Sequence, residues 1–373
     1  MKTQIKGIAM LLAVILTFSG LLVSSSASPV SDDILSAPPV TNPTTAPTTE
    51  PATIPTTEPT TEPTIPPTTV PPTEPPTAPP TEPPVTQPPA PPATVPPATQ
   101  PPIQTPQDST TASHAFIYQC STNTYLFTKG DMNDRIYPAS ITKLFAALVA
   151  LQHMAPEQTV TAGDALYTVP SDSSKAFLQI GDVLTVEQLI YGMLLPSGND
   201  AARVLATAAG RVIAGNEALS ATDAMNIFVG EMNNWAAAMG MTGTHFVTPD
   251  GWHSSEHYTS MADLLALAQL CLSDPLISQI VKTPQYTATT AAGRQLPWKN
   301  SNMHLQGDSE FYLPNCIGLK TGFTRSAGRC LLAAFVIDGN WVIMGVFGCP
   351  DPGFTYITQF QTSSYLYNTY LSA

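Results

Sequence analysis

Ser140 and Lys143 stand three residues apart at the head of an apolar run, Leu144 to Leu151, and no other lysine after residue 27 has a serine three positions before it. At a helix start, that spacing puts hydroxyl and amine on one face, one turn apart. A serine alcohol becomes a useful nucleophile only when a neighbouring base takes its proton, and a desolvated lysine can be that base. Taken alone, the pair is equally a surface lysine one turn from a serine. Two further segments carry residues of the same chemical kind. Pro196-Ser197-Gly198-Asn199-Asp200 falls where one apolar-periodic stretch stops and the next begins, so its side chains are expected to project from a loop. Ile317-Gly318-Leu319-Lys320-Thr321-Gly322-Phe323 is expected at the end of a strand.

The elements that must hold these segments are legible from periodicity and punctuation. Ala115–Cys120 and Tyr125–Thr128 read as strands joined by a polar turn, a hairpin. Helices are expected from Ser140, over Val186–Leu195 until Pro196 ends it, over Asp200–Val212, over Asp223–Met239 with Gly240 as C-cap, and over Met261–Leu272 with Ser260 as N-cap. Cys316–Thr321, Cys330–Ile337 and Trp341–Phe347 read as strands, the last two joined through Asp338-Gly339-Asn340, and a helix is expected over Thr355–Tyr370. Strands at both ends with helices between predict an α+β domain: an antiparallel sheet flanked by helices, with an all-helical lobe inserted in the middle. Such a sheet would bring residue 320 back towards residue 140.

Composition divides the rest of the chain. Lys2 and Lys6 precede 17 uncharged residues, Gly7–Val23, and then the small residues up to Ala27, the pattern of an export signal over residues 1–27 that is either cleaved or kept as an anchor. Residues 28–111 hold most of the 39 prolines, mixed with threonine in a loose Pro-Thr-Thr-Glu-Pro repeat, with no aromatic residue and no Lys or Arg. Such a segment cannot bury a core and reads as an extended spacer. Residues 112–373 form the expected catalytic domain. Of the net charge of −13, the spacer supplies eight acidic groups; residues beyond it carry 12 Lys and Arg against 19 Asp and Glu. No basic cluster exists to hold a phosphate backbone, so nucleic-acid binding is set aside. Five cysteines without CxxC or metal-like spacing leave at least one thiol unpaired and the pairing open.

In order, the chain therefore carries Ser-x-x-Lys, Ser-x-Asn and Lys-Thr-Gly. That set resembles the penicillin-recognising serine acyl-enzymes, and more narrowly the D-alanyl-D-alanine carboxypeptidases among low-molecular-mass penicillin-binding proteins. The likeness extends from about residue 113 to 370 and includes Thr248-Pro249-Asp250-Gly251, His257-Tyr258-Thr259-Ser260 and Ala327-Gly328-Arg329-Cys330.

The resemblance implies a β-lactamase/transpeptidase-like fold and removal of the terminal D-alanine from peptidoglycan stem pentapeptides through an acyl-enzyme on Ser140, with β-lactam antibiotics as covalent inhibitors. It assigns Lys143 as the base, kept neutral by burial and by positive charge from Lys320. Ser197 would relay the proton to the leaving amine, and Asn199 would hold Lys143 and the substrate amide. Lys320 and Thr321 would bind the terminal carboxylate, with Arg325 as a further candidate. Gly322 would let the substrate backbone approach the strand edge. The backbone N–H groups of Ser140 and Phe323 would receive the oxyanion. No metal or organic cofactor is implied. His257 is expected to be structural, Cys330 to be core, and the Trp298 to Asn302 loop to lie near the cleft without an assignable role.

Two other functions compete with this one. A class A β-lactamase needs a Glu-x-x-Leu-Asn pattern after the second motif, which Glu217-Ala218-Leu219-Ser220 and Glu231-Met232-Asn233-Asn234 do not fit. A non-catalytic wall-associated module on the same fold would tolerate the proline tract, yet every motif residue is intact. Many family members continue into a second β-rich domain and a C-terminal anchor. Because this sequence stops at Ala373, contact with the membrane is expected only through a retained leader. The expected location is outside the cytoplasm, on the membrane's outer face, in the wall or secreted.

Overall fold

A computed structural model of the chain describes residues 110–351, 353 and 357–372. The expected leader, and the expected spacer apart from Thr110 and Thr111, lie outside the described residues. In chain order the elements are β1 (His114–Gln119), β2 (Thr124–Lys129), α1 (Thr142–His153), β3 (Thr159–Thr161), β4 (Val183–Thr185), α2 (Val186–Leu194), α3 (Asn199–Ala214) and α4 (Ala221–Ala238). There follow α5 (Met261–Ser273), α6 (Pro275–Val281), β5 (Gln285–Thr289), β6 (Gln295–Lys299), β7 (Cys316–Thr324), β8 (Gly328–Ile337), β9 (Asn340–Cys349) and α7 (Thr358–Tyr370).

The five-stranded sheet runs β2-β1-β9-β8-β7, antiparallel throughout, which joins the first and last strands of the described residues as expected. Its central strands are apolar on both faces, and their two-residue period divides them between two cores. Phe116, Leu332, Ala334, Ile343 and Phe347 pack with the helical lobe. Ala115, Ile117, Leu331, Ala333, Phe335 and Val346 face the other way, against Phe360, Leu366 and Tyr367 of α7. Strand β7 pairs on one side only, with β8, so its outer edge is free to take another strand.

Helix α1 is buried from Thr142 through Ala150, so even its one lysine is sealed from water. Around it stand α3, whose first residue is Asn199, and α5, capped by the Ser260 hydroxyl on Asp263 N–H. Helix α4 ends at Met239 before Gly240 at φ 74°, the left-handed position that favours glycine.

The structure adjusts several expectations. Strand β7 continues to Thr324, so Lys320-Thr321-Gly322 lies within the strand and not at its end. Asn199 is helical and not a loop residue. The two-stranded pairs β3–β4 and β5–β6 add to the expected elements: strands of three and five residues are too brief to stand out in the sequence. All five cysteines are free thiols, and Cys330 is fully buried core. Among the described residues no single helix is long and apolar enough to cross a membrane.

Candidate active site

Ser140 sits in a 3-10 turn, Ala139–Ile141, that leads directly into α1. Its predecessor Ala139 has φ 47°, a left-handed conformation held by packing from both sides. A Cβ on Gly251 would lie 1.8 Å from the Ala139 carbonyl oxygen, and one on Gly322 would lie 2.9 Å from that of Pro138. Both glycines therefore exist to let the 250 loop and β7 close onto the turn that presents Ser140. Gly322 thus has a packing role beside its place in the cleft lining: a side chain there would press on the Pro138 carbonyl and Ala139.

Lys143 Nζ is 2.8 Å from Ser140 Oγ and donates to Asn199 Oδ1 at 2.7 Å and to the Asp250 backbone carbonyl at 2.7 Å. A neutral primary amine has two N–H bonds and one lone pair. With both N–H bonds committed to acceptors that cannot donate, the lone pair faces the Ser140 hydroxyl. Burial pushes the Lys143 pKa down to about 8; Asp250 and Asp200 oppose that push, and Arg203 adds to it. Arg203 is a source of positive charge that the sequence did not single out. Lys143 and Lys320 repel each other, and burial together with Lys143 holds Lys320 itself well below the ordinary lysine range.

Arg203 and Asp250 form the pair beneath this amine, with Nε donating to Oδ2 at 2.7 Å and the Asp250 side chain fully enclosed. Burial works against ionisation of Asp250, but Lys143 and Arg203 outweigh it and keep the carboxyl below its usual range. Trp252 N–H donates to the other oxygen, so the carbonyl that receives Lys143 is held by its own side chain's network.

Ser197 has φ 64° and its hydroxyl faces the cleft, without a hydrogen-bond partner among the described residues. Such backbone strain persists only where the surroundings over-determine it. Here Ser174 Oγ donates to the Ser197 carbonyl, and Gly198 N–H to the Gly192 carbonyl. Asp200, adjoining the motif, receives Ala176 N–H at 2.7 Å and Leu178 N–H at 3.1 Å, tying the 172–178 segment across the cleft mouth to the start of α3.

Lys320 is buried and lies behind the cleft wall. Its amine donates to the Thr321 carbonyl at 3.2 Å and, more weakly, towards Thr321 Oγ1 and Ser301 Oγ, whose hydroxyls are 2.7 Å apart. A carboxylate in the cleft thus meets these two hydroxyls first, with the lysine behind them. Ser301, quoted in the sequence without a role, joins the site because the β6 to β7 connection folds over β7. Trp298 in the same region donates Nε1–H to the Ala176 carbonyl and packs the cleft wall.

His257 is structural, as expected. Its Nδ1 receives Val247 N–H at 3.0 Å, which fixes the proton on Nε2, 2.8 Å from Thr142 Oγ1. Burial lowers its pKa to about 4.

The result is one open cleft of about 1050 Å³ with Ser140 on its floor. Thr321 to Ser326 form one wall, and Ser173, Ser174, Ser197, Asn199 and Asp250 to His253 the other. Ser140, Ser197, Asn199, Thr321, Gly322 and Phe323 all line it; Lys143 and Lys320 reach it from behind. Among the described residues no cluster of His, Cys, Asp or Glu is arranged to hold a metal ion. Sequence reasoning missed Arg203 and the Asp250 carbonyl. A backbone acceptor has no side-chain signature, although the Thr248–Gly251 stretch had marked the place.

A sequence profile of the D-alanyl-D-alanine carboxypeptidase family, peptidase S11, matches residues 100–351. The chain is 34% identical over 231 residues to a D-alanyl-D-alanine carboxypeptidase of Streptomyces sp. (strain K15), covering 60% of this chain and 75% of that protein. It is 27% identical over 253 residues to the carboxypeptidase DacF of Bacillus subtilis, of whose length the match covers 60%. The crystal structure of the Streptomyces K15 DD-transpeptidase superposes with a TM-score of 0.61 at 30% identity, covering 73% of this chain and 98% of that one. With the sheet order, the cleft and the profile in agreement over more than half its length, this chain belongs to the D-alanyl-D-alanine carboxypeptidase family of serine peptidases.

Proposed function

We propose that the protein is a serine-type D-Ala-D-Ala carboxypeptidase that removes the terminal D-alanine of peptidoglycan stem pentapeptides and is acylated by penicillin. The observation that carries this reading is the Lys143 amine, 2.8 Å from Ser140 Oγ with both N–H bonds of its neutral form engaged elsewhere. Neutral Lys143 takes the Ser140 proton as Oγ attacks the carbonyl carbon of the penultimate D-alanine. The oxyanion receives the backbone N–H groups of Ser140 and Phe323. Ser197 passes a proton to the leaving nitrogen, the C–N bond breaks, and D-alanine departs. Water then attacks the ester, giving its proton back through Lys143, and the shortened peptide is released with Ser140 restored. Asn199 orients Lys143 and the substrate amide, while Thr321, backed by Lys320, receives the terminal carboxylate.

The only carboxylates lining the cleft among the described residues are Asp172, exposed at the mouth, and Asp250, already paired with Arg203; no glutamate is poised to activate a deacylating water. This favours a long-lived penicillin adduct over β-lactamase turnover. The solved Streptomyces relative is a DD-transpeptidase, and an amine acceptor would use the same acyl-enzyme as water does.

The domain reading accompanies this function: residues 1–27 an export leader, 28–111 a spacer, and 112–373 the catalytic domain of an enzyme acting outside the cytoplasm. The test combines intact mass after penicillin with D-alanine release from a pentapeptide. A stable adduct on Ser140, and loss of both adduct and release in Ser140→Ala, are expected. Persisting D-alanine release in that variant refutes the mechanism. Fast penicillin turnover with no adduct assigns the chain to the β-lactamases instead. Peptides mapped from secreted protein locate the mature N-terminus; a start before Ser28 refutes cleavage after Ala27.

A further inference from the structure

We infer that Arg325 selects stem peptides carrying an anionic group two residues upstream of the penultimate D-alanine, holding it at a recess beside the main cleft. The inference rests on the carboxypeptidase reading, which fixes the direction of the substrate. With the terminal carboxylate at Thr321 and the oxyanion at Phe323 N–H, the peptide runs antiparallel along the free edge of β7. Its penultimate residue then lies opposite Phe323 and the next upstream residue opposite Thr324, where β7 ends; the one before that emerges beside Arg325, the first residue of the turn to β8.

At about 3.4 Å per strand residue, Thr324 is already about 10 Å from Thr321, and Arg325 lies beyond it. An arginine side chain at that distance does not share the carboxylate that Thr321 holds, so the terminal-carboxylate role considered for Arg325 gives way to an upstream one. The two arginines lining the cleft differ in availability. Arg329 is 7% exposed, donates from Nε and Nη2 to Asp351 Oδ1 at 3.2 and 3.1 Å, and stacks 3.7 Å over the Phe323 ring. Arg325 is exposed and has no ion-pair or hydrogen-bond partner among the described residues.

Arg325 also borders a second cavity of about 460 Å³, lined with it by Ser113, Ser326 and Asp351, whose carboxylate is taken by Arg329. The Ser113 hydroxyl is taken by the Phe347 carbonyl; the Ser326 hydroxyl and the Arg325 guanidinium, unpaired among the described residues, suit a carboxylate, which the planar fork of arginine can bind with two hydrogen bonds. Residues beyond the spacer carry 19 Asp and Glu against 12 Lys and Arg, an acidic excess of 7 that otherwise repels an anionic peptide, so a local cation at the cleft has a strong relative effect.

The experiment compares two peptides ending in D-Ala-D-Ala that differ only at that upstream position, one with a free carboxylate and one with the carboxamide. The wild-type enzyme is expected to prefer the carboxylate by about fivefold in kcat/KM, carried by KM, the scale of an exposed ion pair. Arg325→Gln should remove the preference by weakening the carboxylate peptide alone, Arg325→Lys should keep part of it, and Arg325→Glu should reverse it. Equal kcat/KM for both peptides in the wild type, or an Arg325→Gln loss shared equally by both, overturns the inference while leaving the carboxypeptidase reading intact. Absence of D-alanine release from either peptide, with penicillin failing to acylate Ser140, overturns that reading instead.

Discussion

The base assignment yields a sharp test because one isosteric change bears directly on the charge of Lys143. Asn199→Asp exchanges an amide oxygen for a carboxylate oxygen 2.7 Å from Nζ, with no change in volume. In the wild type, Lys143 titrates at about 8, so at pH 7 about one amine in ten is neutral and able to take the serine proton. A carboxylate in direct contact raises a base's pKa by about 2 or more. The neutral fraction at pH 7 then falls to about one in a thousand, and Ser140 acylation slows about 100-fold. The base must be deprotonated to act, so acylation rises with pH and levels off above the Lys143 pKa. Stopped-flow measurement of penicillin acylation against pH should show a limb near pH 8 for the wild type and one near pH 10 or beyond for Asn199→Asp. The position of the limb, not the amplitude, is decisive, because lost contacts to the substrate amide lower the amplitude without moving the limb. An unmoved limb in the variant, or a flat wild-type profile across pH 7–9, refutes Lys143 as the titrating base.

Three further outcomes are expected. Arg203→Gln leaves the Asp250 carboxylate buried beside Lys143 without its main partner, which should cost about 3–5 kcal/mol in urea unfolding; adding Asp250→Asn should recover much of it, and additive losses would contradict the pairing. Gly251→Ala puts a methyl 1.8 Å from the Ala139 carbonyl at a φ of +79°, so several kcal/mol of stability and most Ser140 acylation should be lost, and wild-type behaviour in both assays excludes the proposed support of the turn. His304 is fully buried, with Nδ1 against the Phe311 carbonyl and Nε2 against the Ser363 hydroxyl; burial lowers the pKa of both it and His257 to about 4 when folded, against about 6.5 unfolded. Between those pH values the unfolded chain binds more protons, so stability should drop by up to about 3 kcal/mol per histidine as pH falls from about 6.5 to 4. His304→Asn should flatten that slope in thermal melts, and an unchanged slope counts against its burial as a neutral ring.

Local chemistry made much of this protein readable in one dimension. Pro196, Ser260 and Gly240 set helix ends through rules that act within a turn, and the apolar runs of β8 and β9 announced strands covered on both faces. The order Ser140, Lys143, Ser197, Asn199, Lys320, Thr321 named the chemistry, because nucleophile, base and carboxylate receptor each demand particular side chains. Three matters were decided only by tertiary packing. Lys143 is held near 8 by burial in an enclosed helix, with Arg203 adding to the push, and one of its two acceptors is a backbone carbonyl from residue 250 that no side chain advertises. Gly251 and Gly322 matter through atoms of the Ser140 turn, far away in sequence. Lys320 reads as a surface cation for a carboxylate, yet the fold places its amine behind Ser301 and Thr321 and lowers its affinity for protons. Side-chain identity fixes what a group can do; the distance and dielectric that set its charge come from residues the chain brings back from a hundred positions away.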